Sequence, residues 1–390
     1  MNKRLKGRVG YLILLFFIPI VSNGTPFLWN VDRLNTFGED SQHFKLYSQI
    51  ISKADKYCGQ SLFRITEKQQ TYAPNKHYYC SIAPYWWPND MNIDGVYKRK
   101  DGSINPERQK YDYPKLVNLT SRLKYLSIAF YLTRDEKYYN SYLLLIGCWF
   151  INNDTYMYPS FEYAQVINGL NNNKGNVQGI AETEFLIDII ESFLLINEVR
   201  PFKEDVIMPI KMWFKDFMNW MTTDDVANNV KSFKNNITTL YELVLLEIAM
   251  FVGDRDYSLI VISDFQKELL PSQIADDGSM PAELSRVNAF GYSVRNMKEI
   301  VEFCIIADKL QKVFFGKNRC IIQKAIDFLC KYSSKLNGTS AVHINSMDTS
   351  ITSLDIQIQR LSRVSYGRKL SNKCKRKTVD MFENIDYILM

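Results

Sequence analysis

The chain has 390 residues, 46% of them hydrophobic and 14% aromatic, so it can fill a sizeable core with aromatic surface to spare, and bulk disorder is excluded. Its formal charge of +6 sits at the two ends: Lys3, Arg4, Lys6 and Arg8 precede any acid, and Arg360, Arg363, Arg368, Lys369, Lys373, Lys375, Arg376 and Lys377 follow one another with no acid between them. Removing the first four leaves +2 and removing the other eight leaves about −6, so any attraction for an anion must come from local residues rather than an overall field.

Residues 1–24 read as a secretory signal. The four cations open it, residues 11–21 are an apolar run too short to span a bilayer comfortably, and Ser22-Asn23-Gly24 offers small residues before a cut at Thr25. The mature protein is therefore expected to be periplasmic or secreted, with no stable membrane insertion after signal cleavage. Residues 25–337 form the expected folded domain. Within it, residues 76–106 are rich in aromatics, Pro and Gly and keep no period. Leu116, Leu119, Leu123, Leu126 and Phe130 then recur every three or four residues and mark one buried helical face. Thr133-Arg134-Asp135 is the turn into a second helix over 137–150, an Asn/Gly-rich loop covers 168–179, and a strongly apolar helix covers 182–196. Further helices are expected over 202–221, 239–251, 257–268, 294–310 and 318–332. Residues 338–390 are polar and basic and read as a solvated tail, with no nucleic-acid partner expected. Strand-like alternation is scarce, so the expected class is all-α, built of short-looped helical hairpins.

The seven cysteines (Cys58, Cys80, Cys148, Cys304, Cys320, Cys330 and Cys374) are odd in number and show no zinc or redox spacing, so no metal or other cofactor is expected. Cys148 and Cys304 lie in apolar helical runs and are expected to be buried.

The most specific stretch is Lys76-His77-Tyr78-Tyr79-Cys80-Ser81-Ile82-Ala83-Pro84-Tyr85-Trp86-Trp87-Pro88. Asp101-Gly102-Ser103-Ile104-Asn105-Pro106-Glu107 follows it, then Tyr163-Ala164-Gln165, then Asn235-Asn236 with Thr239 and Tyr241. Last come Asp277-Gly278-Ser279-Met280-Pro281-Ala282-Glu283-Leu284-Ser285-Arg286 and Tyr292. In this order, over about residues 55–310, the segments resemble those of the alginate-lyase superfamily. The resemblance implies an incomplete (α/α) toroid that cleaves uronic-acid polymers by β-elimination. It also implies Tyr292, Arg286 and Asn236 as catalytic residues, and Asn235, Trp86, Trp87, Tyr85, His77, Gln165 and Tyr163 as substrate contacts. The implied partner is an acidic polysaccharide or oligosaccharide.

The residue types suit that chemistry. Elimination at a uronate requires neutralising its carboxylate, a base for the C5 proton and an acid for the leaving glycosidic oxygen. Neutralisation stabilises a developing enolate, commonly the largest catalytic term. Asn235 and Asn236 open a predicted helix, where backbone N–H groups attract anions, although either side chain also suits a plain helix cap. A free phenol titrates near pH ~10, so Tyr292 needs a cation such as Arg286 nearby. Six residues do not share one helical face, so a bend must bring the two together. The flat rings of Tyr85, Trp86 and Trp87 suit the C–H faces of sugars.

The chain departs from the family pattern at three positions. Ile237 stands where the family has a histidine, Asn288 where a second arginine is frequent, and Gly291 where another histidine is. Three readings remain open: a lyase in which Tyr292 is both base and acid, a lyase of altered substrate in which Lys174 or Arg295 neutralises the carboxylate, and a polysaccharide-binding protein without chemistry. A glycoside hydrolase using two of Glu182, Asp276, Asp277 and Glu283 is a fourth, and it implies a neutral glycan.

Overall fold

The computed structural model describes residues 24–37, 44–89, 95–100, 102–311, 314–336 and 389. Residues 1–24, read as a signal, and the basic segment 338–390 lie outside the described residues, apart from Gly24 and Leu389. The α-helices are α1 (Val31–Phe37), α2 (Phe44–Cys58), α3 (Tyr113–Thr133), α4 (Glu136–Ile146), α5 (Glu184–Val199), α6 (Glu204–Thr223), α7 (Asp225–Asn228), α8 (Asn236–Val252), α9 (Arg255–Asp264), α10 (Leu270–Gln273), α11 (Pro281–Leu284), α12 (Ala289–Leu310) and α13 (Phe314–Leu336).

Their packing follows from their patterning. In α8, Leu240, Tyr241, Leu243, Val244, Leu245, Leu246, Ile248 and Ala249 are all buried, so the helix is buried on every face and belongs inside. In α2 only Leu46, Ile50 and Ala54 are buried, a single i, i+4 stripe that fits an outer helix. Accordingly α3, α5, α8 and α12 form an inner row, each packed on the next. Outside it, α2 and α4 lie on α3, α6 and α9 on α8, and α13 on α12. This is the all-α incomplete toroid expected from the sequence. Arg134 closes α3 in the left-handed region (φ 61°), and the Asp135 carboxylate caps α4 by accepting from the Lys137 N–H at 3.0 Å. Those contacts make the turn expected at Thr133-Arg134-Asp135.

Two small strand pairs lie among the motif segments. β1 (Cys80–Ile82) runs parallel to β4 (Tyr163–Val166), and β2 (Trp86–Trp87) is antiparallel to β3 (Lys98–Arg99), with Trp86 opposite Arg99 and Trp87 opposite Lys98. Cys148 and Cys304 are buried thiols, whereas Cys330 is disulfide-bonded. Among the described residues, no helix is long and apolar enough to cross a membrane.

The core contains unusual acids. Glu191 on α5 is fully buried and accepts the backbone N–H groups of Phe27, Leu28 and Trp29 at 2.7, 2.9 and 2.6 Å. Glu247 on α8 is equally buried, and neither of its oxygens finds a donor. Burial pushes Glu191 and Glu242 up to about 7 and Glu299 up to about 8, and it raises Glu247 well above the usual 4.5, helped by the charges of Glu191, Glu302 and Asp188. Between pH 4.5 and about 8 the native state therefore holds more protons than the unfolded chain, and stability falls as pH rises through that window. The melting temperature is expected to be higher at pH 5.5 than at pH 8. Glu247→Gln should raise the pH 8 value and flatten the slope, and an unchanged slope in thermal melts would contradict this.

Candidate active site

The N-terminus of α8 assembles the first part. Asn235 is the helix cap: its side-chain oxygen accepts the Ile237 N–H at 3.0 Å, and its carbonyl accepts from Gln273 Nε2 at 3.0 Å. The plain capping role thus occupies the oxygen of Asn235. Asn236 differs. It is 3% exposed, its backbone N–H donates to Glu283 Oε1 at 2.5 Å, and its own side-chain oxygen is buried without a partner. Ile237, at the family's histidine position, packs against the main core.

Glu283 comes from α11, is fully buried, and has its second oxygen free of donors. Burial pushes its carboxyl up, while the Asn236 N–H and then the charges of Arg286 and Arg295 pull the other way. The chain bends after α11, so that the Arg286 guanidinium lies 3.9 Å from the centroid of the half-buried Tyr292 ring, on the first turn of α12. The bend required by the six-residue spacing is present. Arg295, one turn further along, donates to Glu184 and, at 3.1 Å, to Glu299, and its charge also interacts with Tyr292. Asn236, Glu283, Arg286, Tyr292 and Arg295 are thus one connected group.

Two of the family departures are physically linked. Asn288 caps α12, its side-chain oxygen accepting the Gly291 N–H at 3.2 Å. A Cβ at residue 291 would lie 2.5 Å from Asn288 Nδ2. The cap that replaces an arginine therefore fills the space that a side chain at 291 would need.

A second group surrounds Glu182. Its carboxylate accepts from Tyr79 Oη at 2.7 Å, Ser81 Oγ at 2.6 Å and Arg108 Nη2 at 2.7 Å. Ser81 Oγ in turn accepts the N–H of Gln165, a buried residue with φ of 53°. Strained, well-held backbone of this kind tends to mark functional sites. Tyr163 is buried beside Tyr78, their ring centroids 5.3 Å apart. His77 stacks on Tyr158 at 5.0 Å, and its Nδ1 is 2.7 Å from the Tyr156 carbonyl. Trp86, Trp87 and Tyr85 are part-exposed on the β2–β3 hairpin. There Trp87 Nε1 donates to the Ser103 carbonyl at 2.9 Å, Lys100 lies 5.0 Å from a Trp87 ring, and the Tyr85 carbonyl accepts the Lys100 N–H at 2.8 Å. The Trp87 indole donates to the Ser103 carbonyl and the Trp86 carbonyl accepts from Asn105 Nδ2, contacts that tie the pair to residues 103–105.

The alternative acids are differently placed. Asp276 is fully exposed, 3.5 Å from Lys324, and Asp277 accepts the Ser279 N–H at 2.9 Å in a turn. Lys174 pairs with Glu162 at 2.5 Å. Glu283 was legible only as one of several acids, although it stands inside the motif that carries Arg286. Glu184 and Glu299 carried no sequence signal, because what distinguishes them is Arg295 between them.

Two comparisons with known proteins bear on this arrangement. Residues 63–338 match the family described as alginate lyase. The chain is also similar to the crystal structure of an alginate lyase from Bacteroides ovatus, with 27% identity and a TM-score of 0.81, over 94% of this chain and 98% of that one. No curated protein sequence matches significantly.

Proposed function

The chain belongs to the alginate lyase family, and from that premise we propose that it is an exported polysaccharide lyase that cleaves a uronic-acid-containing polysaccharide, of alginate or glucuronan type, by β-elimination. The observation that carries this reading is the contact of Arg286 with Tyr292 beside the Glu283 carboxyl, which accepts the Asn236 N–H at the start of α8.

In this reading the uronate carboxylate sits between the Asn236 amide and Arg286. Tyr292, with its proton removed, takes the C5 proton; the C4–O bond breaks as the C4=C5 double bond forms; and the resulting phenol returns the proton to the leaving oxygen. Arg286 and Arg295 place positive charge beside that oxygen at the stage when it is negative. One residue performs both proton steps on one face of the sugar, so a histidine at position 237 is not required. The hydrolase reading has less support, since all three donors around Glu182 hold it as an acceptor and Glu283 is enclosed.

A charge test separates binding from neutralisation. Asn236→Ala is expected to lose about 10²–10³-fold in kcat on a free uronan, the usual loss for one oxyanion donor. The same variant should lose far less on the methyl-esterified polymer, whose carboxyl needs no neutralising. Equal losses on both polymers would rule out carboxylate neutralisation by Asn236.

A further inference from the structure

A cavity of about 410 Å³ opens between the Asn/Gly-rich loop and the corner joining α6 to α7. That volume is within the range of small-ligand pockets, about 300–1,000 Å³. Trp220 and Phe161 supply flat apolar walls, and Tyr78 and Tyr163 lie close enough to feel the charges of Glu162 and Lys174 beside it. The loop is built tightly. Asn171, Asn172 and Asn173 are consecutive left-handed residues (φ 49°, 52° and 57°), held by bonds from Asn171 Nδ2 to the Gly175 carbonyl at 2.7 Å and from the Gly169 N–H to Asn173 Oδ1 at 2.8 Å. A Cβ on Gly175 or Gly179 would come within 2.4 or 2.7 Å of the Ala164 carbonyl oxygen, so only glycine lets the loop press onto β4.

The cavity lies one short segment of chain from the start of α8. Ala227 is at its edge, and three residues later the Val230 carbonyl accepts from Thr238 Oγ1 at 2.8 Å, two residues past Asn236. Its charge is of the opposite kind, however. Glu162, Asp224 and Asp225 line it against a single cation, Lys174, which is already paired with Glu162 at 2.5 Å. A uronate seated here would meet like charges, which oppose its binding. An uncharged ring would meet aromatic faces and hydrogen-bonding rims.

We propose that this cavity is a subsite for an uncharged sugar residue, so that the preferred substrate carries neutral sugars beside the uronate that is cleaved. The inference deepens the lyase reading and rests on it for the class of ligand. The test titrates the full chain with β-1,4-linked glucose, mannose and xylose tetramers and with a β-1,4-glucuronate tetramer, following tryptophan fluorescence, with Trp220→Phe identifying the Trp220 signal. At least one neutral tetramer should saturate that signal, and the glucuronate tetramer should bind at least about tenfold more weakly there. Asp225→Lys changes an exposed residue of the lining, and it should narrow the gap. A glucuronate tetramer binding as tightly as the neutral ones, or no Trp220 signal from any neutral tetramer, overturns the proposal. Unsaturated product is measured on the same preparations: if it forms while the cavity stays silent, only this inference fails, and if it is absent, the lyase reading fails as well.

Discussion

The Tyr292→Phe variant is expected to retain its fold and to lose about 10²–10⁴-fold in kcat, the usual loss for one positioned acid/base. The expectation lies at the upper end, because a single oxygen is assigned both proton transfers and both are lost with it. The ring survives the substitution, and so does the Arg286 guanidinium 3.9 Å above it, so neither packing nor local charge should change much. KM should move little, since the substrate's carboxylate is assigned to Asn236 and Arg286. Adding Arg286→Ala to Tyr292→Phe should cost less than the two single losses combined, because groups that act as a unit are not additive. Steady-state kinetics on a uronan with the two single variants and the double variant checks this, and full additivity would mean that the two residues act separately.

Glu191→Ala is expected to lower the unfolding free energy by about 3–5 kcal/mol. Three buried N–H groups, of Phe27, Leu28 and Trp29, give their hydrogen bonds to this one carboxylate. Each donor left unpaired in the interior costs about 1–3 kcal/mol. The opposing effect is relief of a buried charge near Glu247, and acidification already supplies part of that relief, because Glu191 is pushed up to about 7. The donors outnumber it, so the loss should win at any pH where the protein folds. Thermal melts and amide exchange at residues 27–29 measure it, and a variant as stable as the parent, with those amides still protected, would show that the carboxylate is dispensable.

How much of this was legible in the sequence depends on the range of the interactions. The helices α3, α5, α6, α8, α12 and α13 were readable because their apolar spacing is a local property. The helix α2 was missed although Leu46, Ile50 and Ala54 make a stripe, because polar residues crowd between them. The β1–β4 pair was invisible: three and four residues with no alternation, joined across a long separation. The adjacency of Asn235 and Asn236 marked a helix start but could not say which side chain caps it and which stays buried. The donors to Glu182 come from Tyr79, Ser81 and Arg108, 103, 101 and 74 residues away, so no local pattern announces them. The exchange of an arginine and a histidine for Asn288 and Gly291 looked like two separate losses until the cap filled the space at 291.

The most direct measurement is to incubate the purified chain with glucuronan and with alginate, and to follow the absorbance of the conjugated unsaturated ends together with the release of reducing ends. Arg286 beside Tyr292 predicts that both signals rise in step on at least one polymer and that both stay flat with Tyr292→Phe. Reducing ends without unsaturation, or tight polymer binding with neither signal, would contradict the account.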